Sequence, residues 1–131
     1  GQTALHLAAS GGYRDIAEYL VGAGADYNVR DNEGQTALHL AASNGHRDIA
    51  EYLVGVGASY NVRNNEGQTA LHLAACDGYR DVAECLVGAG ADYNVRDNLG
   101  QTALHFAISD GHRDVAEYLV GAGADYNLRS N

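Results

Sequence analysis

Apolar side chains recur at helical spacing in a short segment near the start of the chain. In ALHLAA, Leu5, Ala8 and Ala9 fall on one face, and the small alanines leave room for a second helix to approach. Thr3 stands immediately before this segment as a favourable N-cap, and Gly12 follows it as a residue that ends helices. The pattern therefore predicts a short amphipathic helix.

A second apolar stripe follows in RDIAEYLVGAG. Ile16, Leu20 and Ala23 lie on one side of the predicted helix, and Ala17 and Tyr19 lie beside them. The next stretch, GADYNVRDNEG, is rich in Asp, Asn and Gly, which are common residues of turns. One unit of the chain is therefore predicted to be a helix, a second helix and a turn.

The same unit recurs along the whole sequence. The hexapeptide GQTALH begins at Gly1, Gly34, Gly67 and Gly100, so the period is 33 residues. Residues 1–33 and 34–66 differ at only five positions. A fixed period of this size indicates stacked supersecondary units, each contacting only its neighbours. We therefore predict an all-α solenoid in a single domain, residues 1–131, with repeats 1–33, 34–66, 67–99 and 100–131.

Glycines at the end of the second stripe raise the alternative of a phosphate-binding loop. LVGAGADYN begins at Leu20 and lacks the third glycine of the dinucleotide fingerprint, because Tyr27 occupies its place. Each of its four copies follows a predicted helix and precedes a turn, whereas a phosphate loop joins a strand to a helix. We therefore expect no cofactor. We expect Gly24 to end the helix in a left-handed conformation and Gly22 to weaken the helix interior.

The repeated pattern resembles the ankyrin repeat. Its first half is G-x-T-A-L-H-L-A-A-x-x-G-[HY] and its second half is A-E-Y-L-V-x-x-G-A-D-Y-N, over four consecutive repeats. The resemblance implies an ankyrin-type solenoid of helix-turn-helix repeats with β-hairpin-like loops. It also implies a non-catalytic protein–protein interaction module. Alanine replaces the family's usual proline at the first helical position, at Ala4, Ala37, Ala70 and Ala103. Because alanine is an excellent helix former, the expected fold is the same.

In this family a protein partner binds the concave face, which consists of loop tips and the exposed side of each first helix. Position by position, the resemblance assigns to this face Arg30, Asn32, Glu33, Gln35, Ser43, Asn44, Arg63, Asn65, Glu66, Gln68, Cys76, Asp77, Arg96, Asn98, Leu99, Gln101, Ser109 and Asp110. These positions vary little between repeats. The pattern is broken at Leu99, Cys76, Asp77 and Asp110.

Two interpretations of this face remain open. In the first, the four variant positions form a local contact patch, with Leu99 as an apolar anchor inside a polar rim. A single exposed leucine is also common on surfaces without any function. In the second, the segment is a structural spacer or consensus-like scaffold with no specific partner. The arginines of the loops would then pair with neighbouring acids, at Arg30, Arg63, Arg96 and Arg129.

Charge narrows the classes of partner. The chain carries 17 acidic residues against 8 basic ones, all of them arginine, for a net charge of −9. Nucleic acids and anionic membrane surfaces attract basic proteins, so we expect neither as a partner. No apolar run approaches the length of a membrane span. Two cysteines are too few for a disulfide framework, which favours an intracellular, cytoplasmic setting.

Histidines occur once per repeat in the helix-start motif, at His6, His39, His72 and His105. Because they lie a full repeat apart, they cannot converge on one zinc ion, and we expect no metal site. The resemblance implies that they form hydrogen bonds in the loop network, with the preceding threonine nearby. A second histidine position, His46 and His112, alternates with Tyr13 and Tyr79, which indicates packing or a polar rim.

Catalysis requires a constellation of residues that stands in one place. Acid pairs such as Asp15–Glu18 recur in every repeat, whereas a catalytic pair is expected once, in a cleft. We therefore predict that the domain is not an enzyme. Cys76 and Cys85 are expected to be unpaired thiols, Cys76 exposed and Cys85 partly buried, since their helices keep the Cα atoms beyond bridging distance.

An aromatic ladder runs along the loops, at Tyr27, Tyr60, Tyr93 and Tyr126. Stacking from repeat to repeat is the simpler interpretation, and binding by exposed rings is the alternative. The residues that follow resemble the family's loop asparagine, which bridges backbone groups of neighbouring loops. They are Asn28, Asn61, Asn94 and Asn127.

The two terminal repeats lack the polar outer faces that the ends of an array require. The first repeat is as apolar as the second, and the last carries Phe106 for Leu and Ile108 for Ala. We therefore expect either that the chain, which begins at Gly1, is a fragment of a longer array, or that it associates end to end with itself.

Overall fold

Helix-turn-helix pairs follow one another through residues 1–127, the part of the chain that the computed structural model describes. Their bounds are α1 Ala4–Gly11, α2 Arg14–Gly22, α3 Ala37–Ser43, α4 Arg47–Gly55, α5 Ala70–Cys76, α6 Arg80–Ala89, α7 Ala103–Ser109 and α8 Arg113–Ala122. The odd-numbered helices pack in sequence to form one layer, and the even-numbered helices form the other. No strand occurs among residues 1–127, and the predicted all-α solenoid is confirmed.

Each first helix begins at the alanine that follows a threonine. Thr36 has an extended backbone, with φ −92° and ψ 172°, and its side chain accepts a hydrogen bond from the N–H of His39. The ring of His39 in turn accepts a 3.1 Å hydrogen bond from the N–H of Thr36. This is a capping box in which histidine takes the place usually held by Glu or Gln. Thr3 caps α1 in the same way, as predicted.

Glycine reverses the chain after each second helix. Helix α6 ends at Ala89, and Gly90 follows with φ +114°, while Gly24 has φ +102°. Because of this left-handed turn, Ala91 returns to the core, and its N–H donates to the carbonyl of Leu86. The predicted role of Gly24 is confirmed. Gly22 and its copy Gly55 are the last residues of α2 and α4, so the predicted interior position is wrong for them. The copies Gly88 and Gly121 lie inside α6 and α8, one residue before the end.

The buried stripe of the second helices is shorter than its sequence pattern indicates. In α4, Ile49, Ala50 and Leu53 are completely buried. Ala23 and its counterparts Val56, Ala89 and Ala122 are all exposed, whether they follow the last helical residue, as in α2 and α4, or are that residue, as in α6 and α8. Ala23 therefore does not share the buried stripe, contrary to the prediction.

Alanine sets the spacing of the first helices. The alanine pairs of α1, α3 and α5 are buried, and most of these side chains have no exposed surface. They are Ala8, Ala9, Ala41, Ala42, Ala74 and Ala75. Methyl side chains let neighbouring helices approach closely, and the buried leucines Leu38 and Leu71 supply the larger apolar volume. Burial of each such leucine contributes roughly 1.5–3 kcal/mol.

Candidate partner-binding face

Each loop between repeats folds around one buried Asp or half-buried Asn side chain. Asp31 is 9% exposed, and its Oδ1 accepts hydrogen bonds of 2.9 Å from the N–H groups of Glu33 and Gln35. Asn64 and Asp97 accept equivalent hydrogen bonds in the next two loops. These side chains fix the shape of the loop tips, and the sequence reasoning missed them. The sequence pattern that could have indicated them is an Asp or Asn that recurs every 33 residues, two positions before Glu33, Glu66 and Leu99.

The pKa of Asp31 suits its role as an acceptor. Burial raises this pKa, but hydrogen bonds from the N–H groups of Gln35 and Glu33 lower it, and the net value lies below the ordinary 3.8. Asp31 is therefore charged at neutral pH. A charged carboxylate accepts stronger hydrogen bonds than a neutral one, so the loop is held firmly.

Neighbouring loops are joined to one another by backbone and amide groups. The N–H of Asn65 donates to the carbonyl of Glu33 over 3.0 Å, and its side chain donates to the carbonyl of Asn32 over 2.9 Å. Asn98 repeats both contacts with the loop before it, at 3.0 Å each. The loops therefore form one continuous edge, with their tips at regular intervals.

Arginine strengthens the same edge through backbone carbonyls. The Nε of Arg30 donates to the carbonyl of Gly34 over 3.2 Å, and its guanidinium also donates to the carbonyl of Arg63. Arg63 donates likewise to Gly67 and to Arg96, at 3.0 and 2.6 Å. Within residues 1–127, Arg30 and Arg63 form these bonds to carbonyls and no ion pair with an acid, so the expectation that they pair with acids was wrong. Arg129 lies outside the described residues.

The helix-start histidines connect each repeat to the next. The Nε2–H of His39 donates to the carbonyl of Gln68 over 2.9 Å, while Nδ1 faces Thr36. The acceptor carbonyl places the ring proton on Nε2. Burial lowers the pKa of His39 and of His72, which favours the neutral ring that this arrangement requires. The predicted role in the loop network is confirmed.

The second histidine position also joins repeats. The Nε2 of His46 lies 3.1 Å from the carbonyl of Ser10 in the preceding repeat. His112 makes the same contact with the carbonyl of Cys76, at 3.0 Å. These side chains therefore act at the junction, in agreement with the packing role expected for them.

The loop tyrosines contact the next repeat through their hydroxyl groups. Tyr27 donates to the carbonyl of Val56 over 3.0 Å, and Tyr93 donates to that of Ala122 over 3.2 Å. The expected stacking is therefore replaced by a hydrogen bond at the end of the next second helix. The adjacent Asn28 accepts from the N–H of Ser59 over 3.2 Å, which confirms the predicted bridge between loops.

The predicted face resolves into two rows of residues. The tip row comprises Arg30, Asn32, Glu33, Gln35, Arg63, Asn65, Glu66, Gln68, Arg96, Asn98, Leu99 and Gln101. The helix-end row lies at the far ends of the first helices and comprises Ser43, Asn44, Cys76, Asp77, Ser109 and Asp110. The glutamines, Arg96, Ser43 and Cys76 are half-buried, and the other residues of both rows are exposed.

The four variant positions do not form one cluster. Leu99 is 69% exposed in the tip row, before α7 begins, whereas Asp110 follows the end of α7. A helix rises about 1.5 Å per residue, so the seven-residue α7 separates the two positions by roughly 10 Å. Leu99 therefore lies in the tip row, whereas Cys76, Asp77 and Asp110 lie in the helix-end row.

Cys76 lies against an acid of the next repeat. Its Sγ–H donates to Oδ2 of Asp110 over 3.3 Å, and the side chain is half-buried, although the sequence predicts an exposed thiol. Burial and the neighbouring Asp110 raise the pKa of Cys76 to about 11, so the thiol stays protonated at neutral pH. Cys85 is partly buried, as expected, and burial also raises its pKa. Both cysteines are free thiols.

Residues 1–127 contain neither a candidate metal site nor a helix that could cross a membrane. His, Cys, Asp and Glu side chains form no group of three that could hold a metal ion in this range. The helices of the same range are too short or too polar to span a lipid bilayer.

Comparison with known proteins gives two findings. A family model described as "Ankyrin repeats (3 copies)" matches residues 1–64 and residues 56–130. An ankyrin repeat protein of Acanthamoeba polyphaga mimivirus is 56% identical over 34 residues. That match covers 26% of this chain and 5% of the viral protein.

Proposed function

The chain belongs to the ankyrin-repeat family, whose repeats are generally protein–protein interaction modules. On this basis, we propose that it binds a protein partner through the tip row and the adjoining first helices. The role is non-catalytic. The observation that carries the proposal is the exposed, apolar tip at Leu99 on an edge whose loops are joined to one another by hydrogen bonds.

Rigidity of the edge supports a binding role. Asp97 holds the loop of Leu99 through hydrogen bonds of 2.9 and 2.8 Å to the N–H groups of Leu99 and Gln101. Asn98 ties the same loop to its neighbour. A surface that is already ordered loses little conformational entropy on association, so a small contact area gives useful affinity.

The chemistry of the tip row indicates the kind of partner surface that fits it. Leu99 supplies an apolar side chain at the position where the two preceding loops carry Glu33 and Glu66. An apolar anchor among polar and charged neighbours is typical of the centre of an interface. A partner with an apolar pocket at Leu99 and basic groups opposite the glutamates would match this row.

Site-specific photo-crosslinking tests the proposal. A photoreactive amino acid replaces Leu99 in one variant and Ser59, an exposed residue outside the tip row, in a control variant. We expect a crosslinked partner from the source cell at position 99 and none at position 59. The substitution Leu99→Glu, which copies Glu66, should reduce recovery of that partner by about tenfold, equivalent to loss of one good interface anchor.

A spacer role is the second candidate, and the near-identity of the exposed positions favours it. Three positions of the tip row carry the same residue in the first two loops: Arg30 and Arg63, Asn32 and Asn65, and Glu33 and Glu66. Much of the row therefore does not differ from one loop to the next. Equal crosslinking at positions 99 and 59, with no effect of Leu99→Glu on recovery, would support the spacer and contradict the binding proposal.

A further inference from the structure

Every internal junction between repeats is built from the same two side-chain insertions. The ring of Tyr79 covers Gly45, since a Cβ at this glycine would lie 2.7 Å from the ring. His112 covers Gly78 in the same way, at 2.6 Å. From the other side of the repeat, the hydroxyl of Tyr60 approaches Gly90, where a Cβ would lie 2.8 Å away. The junctions are therefore equivalent interfaces with defined slots.

The two outer faces of the described chain carry these slots unfilled. At Gly111 and at Gly24, a Cβ would meet no atom within 4 Å. Gly111 is the counterpart of Gly45 and Gly78, and Gly24 is the counterpart of Gly90. Among residues 1–127, no ring enters the slot at Gly111 and no tyrosine reaches the slot at Gly24.

The head face, on the first repeat, also exposes the apolar residues that internal junctions bury. It comprises Leu7, Tyr13, Ile16 and Gly24. Leu7 is 59% exposed, whereas its counterpart Leu40 is 7% exposed. Ile16 is 52% exposed, whereas Ile49 is completely buried.

The tail face, on the fourth repeat, comprises Ile108, Gly111, Val120 and Tyr126. Ile108 is 64% exposed and Tyr126 is 65% exposed, although Tyr27 and Tyr93 are half-buried in internal junctions. Ile108, Val120 and Tyr126 line an open depression of about 440 Å³. This face therefore has both an apolar hollow and an unused tyrosine.

The two faces also carry the two halves of a cation–π pair. Within the chain, the guanidinium of Arg80 lies over the ring of Tyr118 in the next repeat, 5.8 Å from its centroid. The corresponding Arg113 on the tail side has a side chain that is 87% exposed, against 45% for Arg80. Tyr19, the counterpart of Tyr118, is 73% exposed on the head side.

We infer that the chain binds a second copy of itself head to tail, with the tail face of one copy seated on the head face of the next. In this contact Tyr13 of the second copy enters the slot at Gly111, and Tyr126 reaches the slot at Gly24 of the second copy. Arg113 lies over Tyr19 of the second copy. The occupant follows from the internal junctions, because both faces are the two separated halves of that interface. The inference concerns surfaces distinct from the tip row.

Ile108 makes this contact weaker than an internal junction. Its counterparts Ala42 and Ala75 have no exposed surface, so the larger isoleucine holds the second copy slightly further out. Association is therefore expected to depend on concentration. Because the interface joins two different faces and does not close on itself, it generates chains of copies rather than a single dimer.

Sedimentation equilibrium tests the inference on the 131-residue chain. Over about 10 µM to about 1 mM, the range of weak interfaces, the average mass of the wild-type chain should rise beyond that of a dimer. The head-blocked variant Ile16→Glu and the tail-blocked variant Ile108→Glu should each stay monomeric. An equimolar mixture of the two should form a 1:1 dimer and nothing larger, since one free tail meets one free head.

Ser59→Asp is the matched control, because it adds a negative charge at a position where the other repeats already have Asp26, Asp92 and Asp125. It should associate like the wild-type chain, and circular dichroism should show equal helix content in all variants. A wild-type chain that stays monomeric at 1 mM would overturn the inference. So would a mixture that stays monomeric, or dimers formed by either blocked variant alone, which would indicate like-with-like contact.

Discussion

At the scale of single residues, backbone conformation separates two glycines of the same turn. Gly55 ends α4 without a positive φ, and a Cβ added to it would meet no atom within 4 Å. Gly57, two positions later, has φ +108°. Glycine at position 55 therefore costs chain entropy without a conformational need, whereas position 57 requires it.

Alanine substitution should consequently have opposite effects at the two positions. We expect Gly55→Ala to raise the free energy of unfolding by about 0.5–1 kcal/mol, because it restricts the unfolded chain. We expect Gly57→Ala to lower it by about 1–2 kcal/mol, the cost of a left-handed non-glycine residue. Urea denaturation of both variants beside the wild type measures the difference. Destabilisation by Gly55→Ala would contradict the helix end described above.

The buried histidines should make stability depend on pH. Burial lowers the folded-state pKa of His39 and His72 below their ordinary 6.5, so below this pH the unfolded chain binds more protons than the folded one. Their contribution to stability is therefore complete above pH 6.5 and is lost as pH falls toward the folded pKa. Urea unfolding from about pH 8 to about pH 5 should show this decline.

A double variant provides the control for the pH effect. His39→Gln with His72→Gln should lower stability at every pH, because the ring hydrogen bonds to Gln68 and Gln101 are lost. It should also flatten the profile between about pH 6.5 and pH 5. Asp31, whose pKa lies below 3.8, acts only in a more acidic window and leaves this comparison undisturbed. An unchanged slope in the double variant would exclude the histidines as its cause.

At the scale of the elements, most boundaries were accessible from the sequence, because the groups that set them are local. Thr36 caps α3 through its own neighbour His39, and Gly90 ends α6 by its own backbone. The contacts of Arg30 were not accessible. Its acceptors, Gly34 and Arg63, depend on how two loops face each other, which a pattern of recurring residues does not specify.

Proline at the start of a first helix should stabilise the fold. Ala37 is the first residue of α3, a position where proline is common. Thr36 before it already has the extended backbone conformation that a residue preceding proline prefers. We expect Ala37→Pro to raise the free energy of unfolding by about 0.4–1 kcal/mol. Ala41→Pro, inside the same helix, should lower it by about 3 kcal/mol or more. Thermal unfolding followed by circular dichroism distinguishes the two, and a lower Tm for Ala37→Pro would contradict this helix start.

At the scale of the whole molecule, position in the stack decides what a side chain contributes. Ile16 and Ile49 are the same residue at the same place in the repeat, yet one is half exposed and the other completely buried. The sequence pattern predicts both as core residues. It could not separate them, since burial here depends on whether another repeat lies alongside.

The same distinction limits prediction of the candidate site. The tip row and helix-end row follow from the repeat and from the family resemblance. The separation of Leu99 from Cys76 and Asp110 does not, because it depends on α7 lying between them. Recurring positions indicate which residues are equivalent in different repeats. The distance between two residues at different positions of the repeat, such as Leu99 and Asp110, follows only from the placement of the helices.

Truncation of the two isoleucines should reveal the difference in burial. We expect Ile49→Ala to cost about 2–5 kcal/mol of unfolding free energy, because it leaves a cavity inside a junction. Ile16→Ala should cost about 1 kcal/mol or less, as for a partly exposed side chain. Guanidinium denaturation at micromolar protein concentration measures both without a contribution from association. Equal costs would contradict the exposed head face.

The equivalence of the junctions has a consequence for how such a gene changes over generations. The ring of Tyr79 covers Gly45 in the same way as the ring of His112 covers Gly78. A recombination event that duplicates or deletes one complete repeat therefore forms the same kind of junction where the two remaining repeats meet. An insertion of a single codon within a helix instead displaces every later contact of that unit. Gain or loss of a whole unit therefore needs no new kind of junction, whereas a change in the length of one unit disturbs its contacts with both neighbours.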